Sequence, residues 1–112
     1  MNHTMKLRTN PFERIKNGSK IIELRLNDSK RQQIKLGDTI TFVNYPEQTE
    51  EIHTEVTALL HYTTFKDLIF DFPVEYFGGK DRESLVKGVH QFYTEENEQL
   101  YGALGIKIKL VG

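Results

Sequence analysis

Cysteine and tryptophan are both absent from this 112-residue chain, and proline occurs only three times. Without cysteine there is no disulfide framework, no thiolate zinc site, no redox CxxC pair and no thiol nucleophile, so a reducing compartment suits the chain. No run approaches the ~18 consecutive apolar residues of a membrane helix. The opening MNHTMKLRTN lacks the apolar middle region of a secretory signal. A cytoplasmic protein with no membrane partner is therefore expected. Repeats, low-complexity tracts and Pro/Gly/Ser linkers are lacking too, which leaves residues 1–112 as a single domain. With 38% hydrophobic residues the chain can fill one core.

An excess of either charge is lacking overall, since the net charge is −1, but the two signs are divided along the chain. Residues 1–38 hold nine Lys or Arg against four acids, a balance of +5, and the remainder balances at −6. Two solvated faces that offset one another would account for this, and so would a basic patch that attracts phosphates.

Asn10-Pro11-Phe12-Glu13 predicts a short helix, with Asn10 as N-cap, Pro11 at the first helical position, Phe12 and Ile15 on its apolar side and Gly18 ending it. Ile21–Leu26 reads as a strand with Ile22, Leu24 and Leu26 on one face and Ile21, Glu23 and Arg25 on the other. After the turn Leu36-Gly37-Asp38 comes a strand over 39–43. A long strand spans 51–62, with Ile52, Thr54, Val56, Ala58 and Leu60 facing one way. Thr64 with Asp67 marks a second short helix, and Asp81 caps a third, whose apolar residues run Leu85, Val86, Val89, Phe92 and Tyr93. Leu104, Ile106, Ile108 and Leu110 give the cleanest period-two run, a closing strand. Few, short helices among these strands favour an α+β fold built on a small curved or barrel-like sheet.

Lys20, Glu23 and Arg25 are unusual for their places at and within a strand. Glu23 and Arg25, two apart on one face, lie ~7 Å apart and can pair, either as an ordinary surface ion pair or as part of a site. Lys20 has the opposite parity and joins them only if the turn after Gly18 twists it over or its stem bridges the gap. The four histidines show no HxH or HExxH spacing, so no metal site is expected. Ser19 lacks a GxSxG context, and Gly78-Gly79-Lys80 is too short for a phosphate-binding P-loop; it reads as a turn into the helix capped by Asp81.

Pro11-Phe12, then Ile15-Lys16-Asn17-Gly18-Ser19-Lys20-Ile21-Ile22-Glu23-Leu24-Arg25, then Ile34-Lys35-Leu36-Gly37-Asp38-Thr39-Ile40-Thr41-Phe42, resembles the ASCH domain family, whose fold is related to the PUA domain. The GxKxxExR string is the most specific element. Tyr101-Gly102-Ala103-Leu104-Gly105-Ile106 is similar to the closing strand of small stand-alone prokaryotic members, so the resemblance covers residues 8–112. It implies a small PUA-like curved β-barrel with short flanking helices and a cleft lined by the motif. The resemblance further implies binding of RNA, a nucleotide or a modified nucleoside through Gly18, Ser19, Lys20, Glu23 and Arg25, with no cofactor.

One bacterial branch of the family hydrolyses N(4)-acetylcytidine to cytidine and acetate, using a lysine, a threonine and a glutamate. The resemblance places Lys20 on the lysine and Glu23 on the threonine, and makes these two the candidate catalytic residues; Glu75 and Glu83 lie near the region of the third. Without the hydroxyl, a water would have to attack, with Glu23 or Lys20 as base. A carboxylate beside Lys20 favours an ammonium, which suits a binding site better than a basic lysine. Binding is therefore the first reading and amide hydrolysis the alternative. For binding, Lys20 and Arg25 meet phosphate or base acceptors, Glu23 accepts from an exocyclic amine, and Tyr45, Tyr62 or Tyr93 is available either to stack on a base or to pack in the core. Lys30, Arg31 and Lys35 extend a backbone-binding track or merely solvate a loop.

Overall fold

Residues 51–62 alternate polar and apolar, and a computed structural model, which describes residues 1–111, shows them as the 12-residue strand β4 (Glu51–Tyr62). With β1 (Asn2–Leu7), β2 (Ile22–Leu26), β3 (Thr39–Asn44) and β5 (Ala103–Leu110) it forms a five-stranded sheet ordered β1-β3-β4-β5-β2. β1 runs parallel to β3 and every other pair is antiparallel. The sheet curls into a half-barrel whose two edges, β1 and β2, approach one another: the Arg25 guanidinium Nη2 donates to the Lys6 carbonyl at 3.2 Å.

The inner face of the curl buries Phe42, Ile40, Val56 and Ile106 together with Phe12 and Ile15 of α1 (Thr9–Lys16). The outer face of β2 and β5 is covered by α2 (Phe65–Phe70), whose Phe65, Leu68 and Ile69 pack on Ile22, Leu26 and Ala103. Each such fully buried side chain contributes about 1.5–3 kcal/mol. Leu68 lies so close to β5 that a Cβ on Gly105 would be 3.1 Å from it. That is why Ala103 and Gly105, the small residues of an alternating strand, are inside too. Thr64 caps α2 by accepting from the Asp67 N–H, and Asp81 caps α3 (Arg82–His90) by accepting from the Ser84 N–H, as the sequence predicts.

Four local features depart from the sequence reading. β1 is a strand that periodicity misses, because only its Met5 and Leu7 are buried. Helix α1 begins at Thr9 with Arg8 at the cap position, so Asn10 is inside it; the missing N–H of Pro11 falls in the first turn, where no helical acceptor exists. In β4 a bulge between Val56 and Ala58 reverses the parity: Leu59 faces the inner core, while Leu60 and Tyr62 join the outer one. Finally, α3 ends at His90, leaving Phe92 71% exposed, and Tyr93 stacks on Phe65 with ring centroids 5.6 Å apart. A separate helix α4 (Glu95–Tyr101) follows. It is held by its Thr94 cap and by Glu98, whose buried carboxylate accepts from the Phe65 N–H at 2.8 Å.

Candidate functional site

The register of β2 against β5 sets the site. Glu23 is opposite Ile106 and Arg25 opposite Leu104, so both charged side chains share the inner face of the half-barrel with core leucine and isoleucine. The surface-pair reading of the sequence is thereby corrected: Glu23 is only 5% exposed. Lys20 joins from outside the strand. Gly18 takes φ +84°, a left-handed conformation that glycine adopts without strain, and the chain then docks through Lys20 N–H to the Arg14 carbonyl (3.0 Å) and Ile21 N–H to the Tyr76 carbonyl (2.8 Å). This brings Lys20 Nζ to 2.7 Å from Glu23 Oε1. On the other oxygen, Glu23 Oε2 accepts from Arg25 Nε at 2.9 Å and lies 2.8 Å from Arg25 Nη2. The result is a buried cation–carboxylate–cation triad. A glycine is needed behind it: Gly78 has φ +76°, its carbonyl accepts from Arg14 Nη1, and a Cβ there would be 3.0 Å from Lys20 Cβ.

Burial pushes the Glu23 carboxyl upward, but the charges of Lys20 and Arg25, with their hydrogen bonds, outweigh it and hold it at about 2. Burial likewise pushes Arg25 down, and the Glu23 carboxylate with the Tyr93 hydroxyl beside it raises it above its ordinary value. Glu23 and Arg25 are thus both held in their charged forms across the physiological range.

It lines a cavity of about 610 Å³, within the range of small-ligand pockets. One side is β1 and the start of α1; the other is α3. Leu24, Phe77, Leu85 and Val89 give it apolar walls, and Tyr45, Phe92 and Tyr93 add aromatic ones. Six cations, Lys6, Arg8, Arg14, Lys20, Arg25 and Lys80, face two carboxylates, Glu23 and Asp81. Asp81 is engaged in capping α3, through bonds from the Ser84 N–H and hydroxyl.

The family model for the ASCH domain matches residues 5–112. The chain belongs to the ASCH domain family. Among solved structures, the crystal structure of hypothetical protein PH0355 is 37% identical, with 99% of this chain aligned to 100% of that one at a TM-score of 0.87. Protein PF0455 from Pyrococcus furiosus, solved by NMR, is 34% identical over 99% of this chain and 98% of its own, with a TM-score of 0.78. An ASCH domain from Lactobacillus crispatus shares the fold at 13% identity, with 97% and 79% coverage and a TM-score of 0.66. No curated protein matches the chain.

Within this ASCH domain, the structure brings Lys20, Glu23 and Arg25 together and adds Tyr45 and Tyr93 to the same cavity. Gly18 and Ser19 are exposed and off its lining; Ser19 Oγ donates to the Arg14 carbonyl at 3.2 Å, so these two shape the turn that presents Lys20. Glu75 and Glu83 also lie off the lining. Tyr62 is elsewhere, with its hydroxyl bonded to Asp71. Arg31 pairs with Asp28 at 3.0 Å, and with Lys30 it borders a separate, smaller depression. Sequence reasoning missed Lys6, Arg8, Arg14 and Lys80 as members of the site. The signal for the first three was the basic excess of residues 1–38, and Gly78-Gly79-Lys80, read as a turn, is also cavity wall. Among the described residues no group of three His, Asp or Glu is placed to hold a metal ion, and no helix is long and apolar enough to cross a membrane.

Proposed function

We propose that this ASCH domain binds RNA, a nucleotide or a modified nucleoside in the cavity lined by Lys20, Glu23 and Arg25. The observation that carries the proposal is the composition of that cavity: apolar and aromatic walls able to take a base, under six cations and two carboxylates, both of the latter already engaged. Lys20 and Arg25 supply donors to base or phosphate acceptors, and Glu23 holds both in position. With both oxygens occupied, Glu23 acts on a ligand chiefly through them.

The alternative is cleavage of N(4)-acetylcytidine by water to cytidine and acetate, supported by Lys20 in the cavity wall. Against it, Glu23 at about 2 has too little proton affinity to serve as a general base near neutral pH, and Lys20 Nζ is paired with it at 2.7 Å. Binding is therefore the function the geometry supports best. Calorimetric titration with cytidine, N(4)-acetylcytidine and short single-stranded RNA at low ionic strength, with product chromatography in parallel, tests both readings. We expect binding that weakens with salt and is lost in Arg25→Ala and Lys20→Ala, with no product. Product release abolished by Lys20→Ala would establish the hydrolase instead, and absence of binding at low salt would overturn the proposal.

A further inference from the structure

The β1 end of the cavity has a chemistry different from the triad. Lys6 Nζ lies 5.5 Å and Arg8 Cζ 5.2 Å from the centroid of the same ring, Tyr45. That ring is fixed to the strand: the Tyr45 N–H donates to the Leu7 carbonyl at 2.8 Å, beside the last register pair of β1 and β3, Leu7 with Asn44. Lys6 and Arg8 point from alternate positions that flank buried Leu7, and both are exposed.

Among the described residues neither cation pairs with a carboxylate, whereas Lys20 and Arg25 share Glu23. The Tyr45 ring attracts both cations but carries no net charge, so it gathers them without neutralising them. What remains is an unneutralised positive site opening into the cavity, where field lines are concentrated by the apolar walls. It is contiguous with the triad, because the Lys6 carbonyl accepts from Arg25 Nη2. A ligand that reaches Arg25 with a base can therefore reach Lys6 and Arg8 with an anionic substituent.

We infer that Lys6, Arg8 and Tyr45 form a phosphate subsite, so that the cavity takes a phosphorylated nucleotide, free or within an RNA strand, in preference to a bare nucleoside. The two cations bind the phosphate oxygens and Tyr45 holds the cations in register. The inference rests on the nucleotide reading above for where the base lies, and on the β1 cluster alone for where the phosphate lies.

The test is titration of the full chain at low ionic strength with four probes: cytidine, cytidine 5′-monophosphate, a short single-stranded oligoribonucleotide and inorganic phosphate. Amide NMR shifts give the footprint. The wild type should bind the monophosphate or the oligonucleotide at least ~10-fold more tightly than cytidine, as expected where charge-assisted hydrogen bonds to a phosphate are gained. A gain already complete in the monophosphate identifies a free nucleotide as the source, and a gain only in the oligonucleotide identifies strand backbone. The double variant Lys6→Ala with Arg8→Ala, both exposed positions, should lose that gain, keep cytidine affinity and melt as the wild type does. Lys6→Arg should retain it.

The subsite is overturned, with the nucleotide reading intact, if the wild type shows no gain, if the gain survives in the double variant, or if cytidine weakens in it by the same factor. Inorganic phosphate shifting Lys6, Arg8 and Tyr45 while neither cytidine nor its phosphate binds would keep the subsite and remove the nucleotide reading. No response to any of the four probes would remove both.

Discussion

Glu23→Gln keeps the shape of the side chain and removes the one negative charge between Lys20 and Arg25. In the wild type the carboxyl is held at about 2 against an ordinary 4.5. At about 1.4 kcal/mol per pH unit, that drop corresponds to about 3 kcal/mol of stability at neutral pH. Because the folded value lies below the unfolded one, the contribution is complete above about pH 4.5 and is lost as the pH falls towards about 2. The same size follows from the opposite direction: leaving buried cations without their partner typically costs about 3–5 kcal/mol. Urea denaturation at pH 7 should therefore find Glu23→Gln less stable by about 3 kcal/mol, with the difference from wild type closing between pH 4.5 and 2. Asp38 is also held at about 2, chiefly by its bond from His3, but it is present in both proteins and cancels in the difference. Adding Lys20→Met to Glu23→Gln should recover part of the loss by removing one of the two unpaired cations. A cost below about 1 kcal/mol at pH 7, or a difference that is unchanged at pH 2.5, would refute a buried Glu23 carboxylate held charged between Lys20 and Arg25.

Gly78→Ala should destabilise the chain by about 1–3 kcal/mol in thermal melts and weaken ligand binding as well, because it strains a φ of +76° and drives a methyl to 3.0 Å from Lys20 Cβ. Glu98→Ala should cost about 2 kcal/mol in urea denaturation, since it leaves the buried Phe65 N–H without its acceptor and unties α4 from α2; ligand affinity should be unchanged, as Glu98 is off the cavity lining. Asp38→Asn should remove part of the acid sensitivity between about pH 4 and 2, the folded carboxyl being held low by His3 and the Lys35 N–H, and should lower stability at neutral pH; a pH series of melts reads both effects. Thr54→Val should cost about 1 kcal/mol through the lost hydroxyl bond to the Ile40 carbonyl at 2.8 Å, measured by chemical denaturation.

How far the sequence could be read depended on whether the information was local. The caps Thr64 and Asp81, the strand over 39–43 and the closing strand are written in neighbouring residues, and each is found where expected. α4 is not legible, because Glu-Glu-Asn-Glu-Gln-Leu-Tyr has no apolar stripe and its one large aliphatic, Leu100, faces solvent; a cap and the buried Glu98 carboxylate hold it instead. The reversal in β4 is invisible for another reason: Thr57 alternates correctly in the sequence, and only the pairing with β5 forces the bulge.

The site divides the same way. Lys20, Glu23 and Arg25 are close in sequence, so their proximity could be suspected from spacing, and the GxKxxExR string marked them. Their burial could not be inferred locally, since it follows from Glu23 and Arg25 facing the inside of a sheet whose partner strand lies some eighty residues on. Lys6, Arg8 and Lys80 join the cavity only through the curl that brings β1 and α3 to either side of β2. Composition recorded the charge of Lys6 and Arg8 in the basic first third, but not their convergence with Lys80.

The proposed site for a nucleotide or RNA is the cavity around the triad. The most direct measurement is an amide NMR titration of the ¹⁵N-labelled chain with a short single-stranded RNA at low ionic strength. Shifts should cluster at Lys6, Arg8, Lys20, Arg25, Val89 and Tyr93 and collapse as salt is raised. Shifts confined to Lys30, Arg31 and Lys35, or none at all, would contradict it.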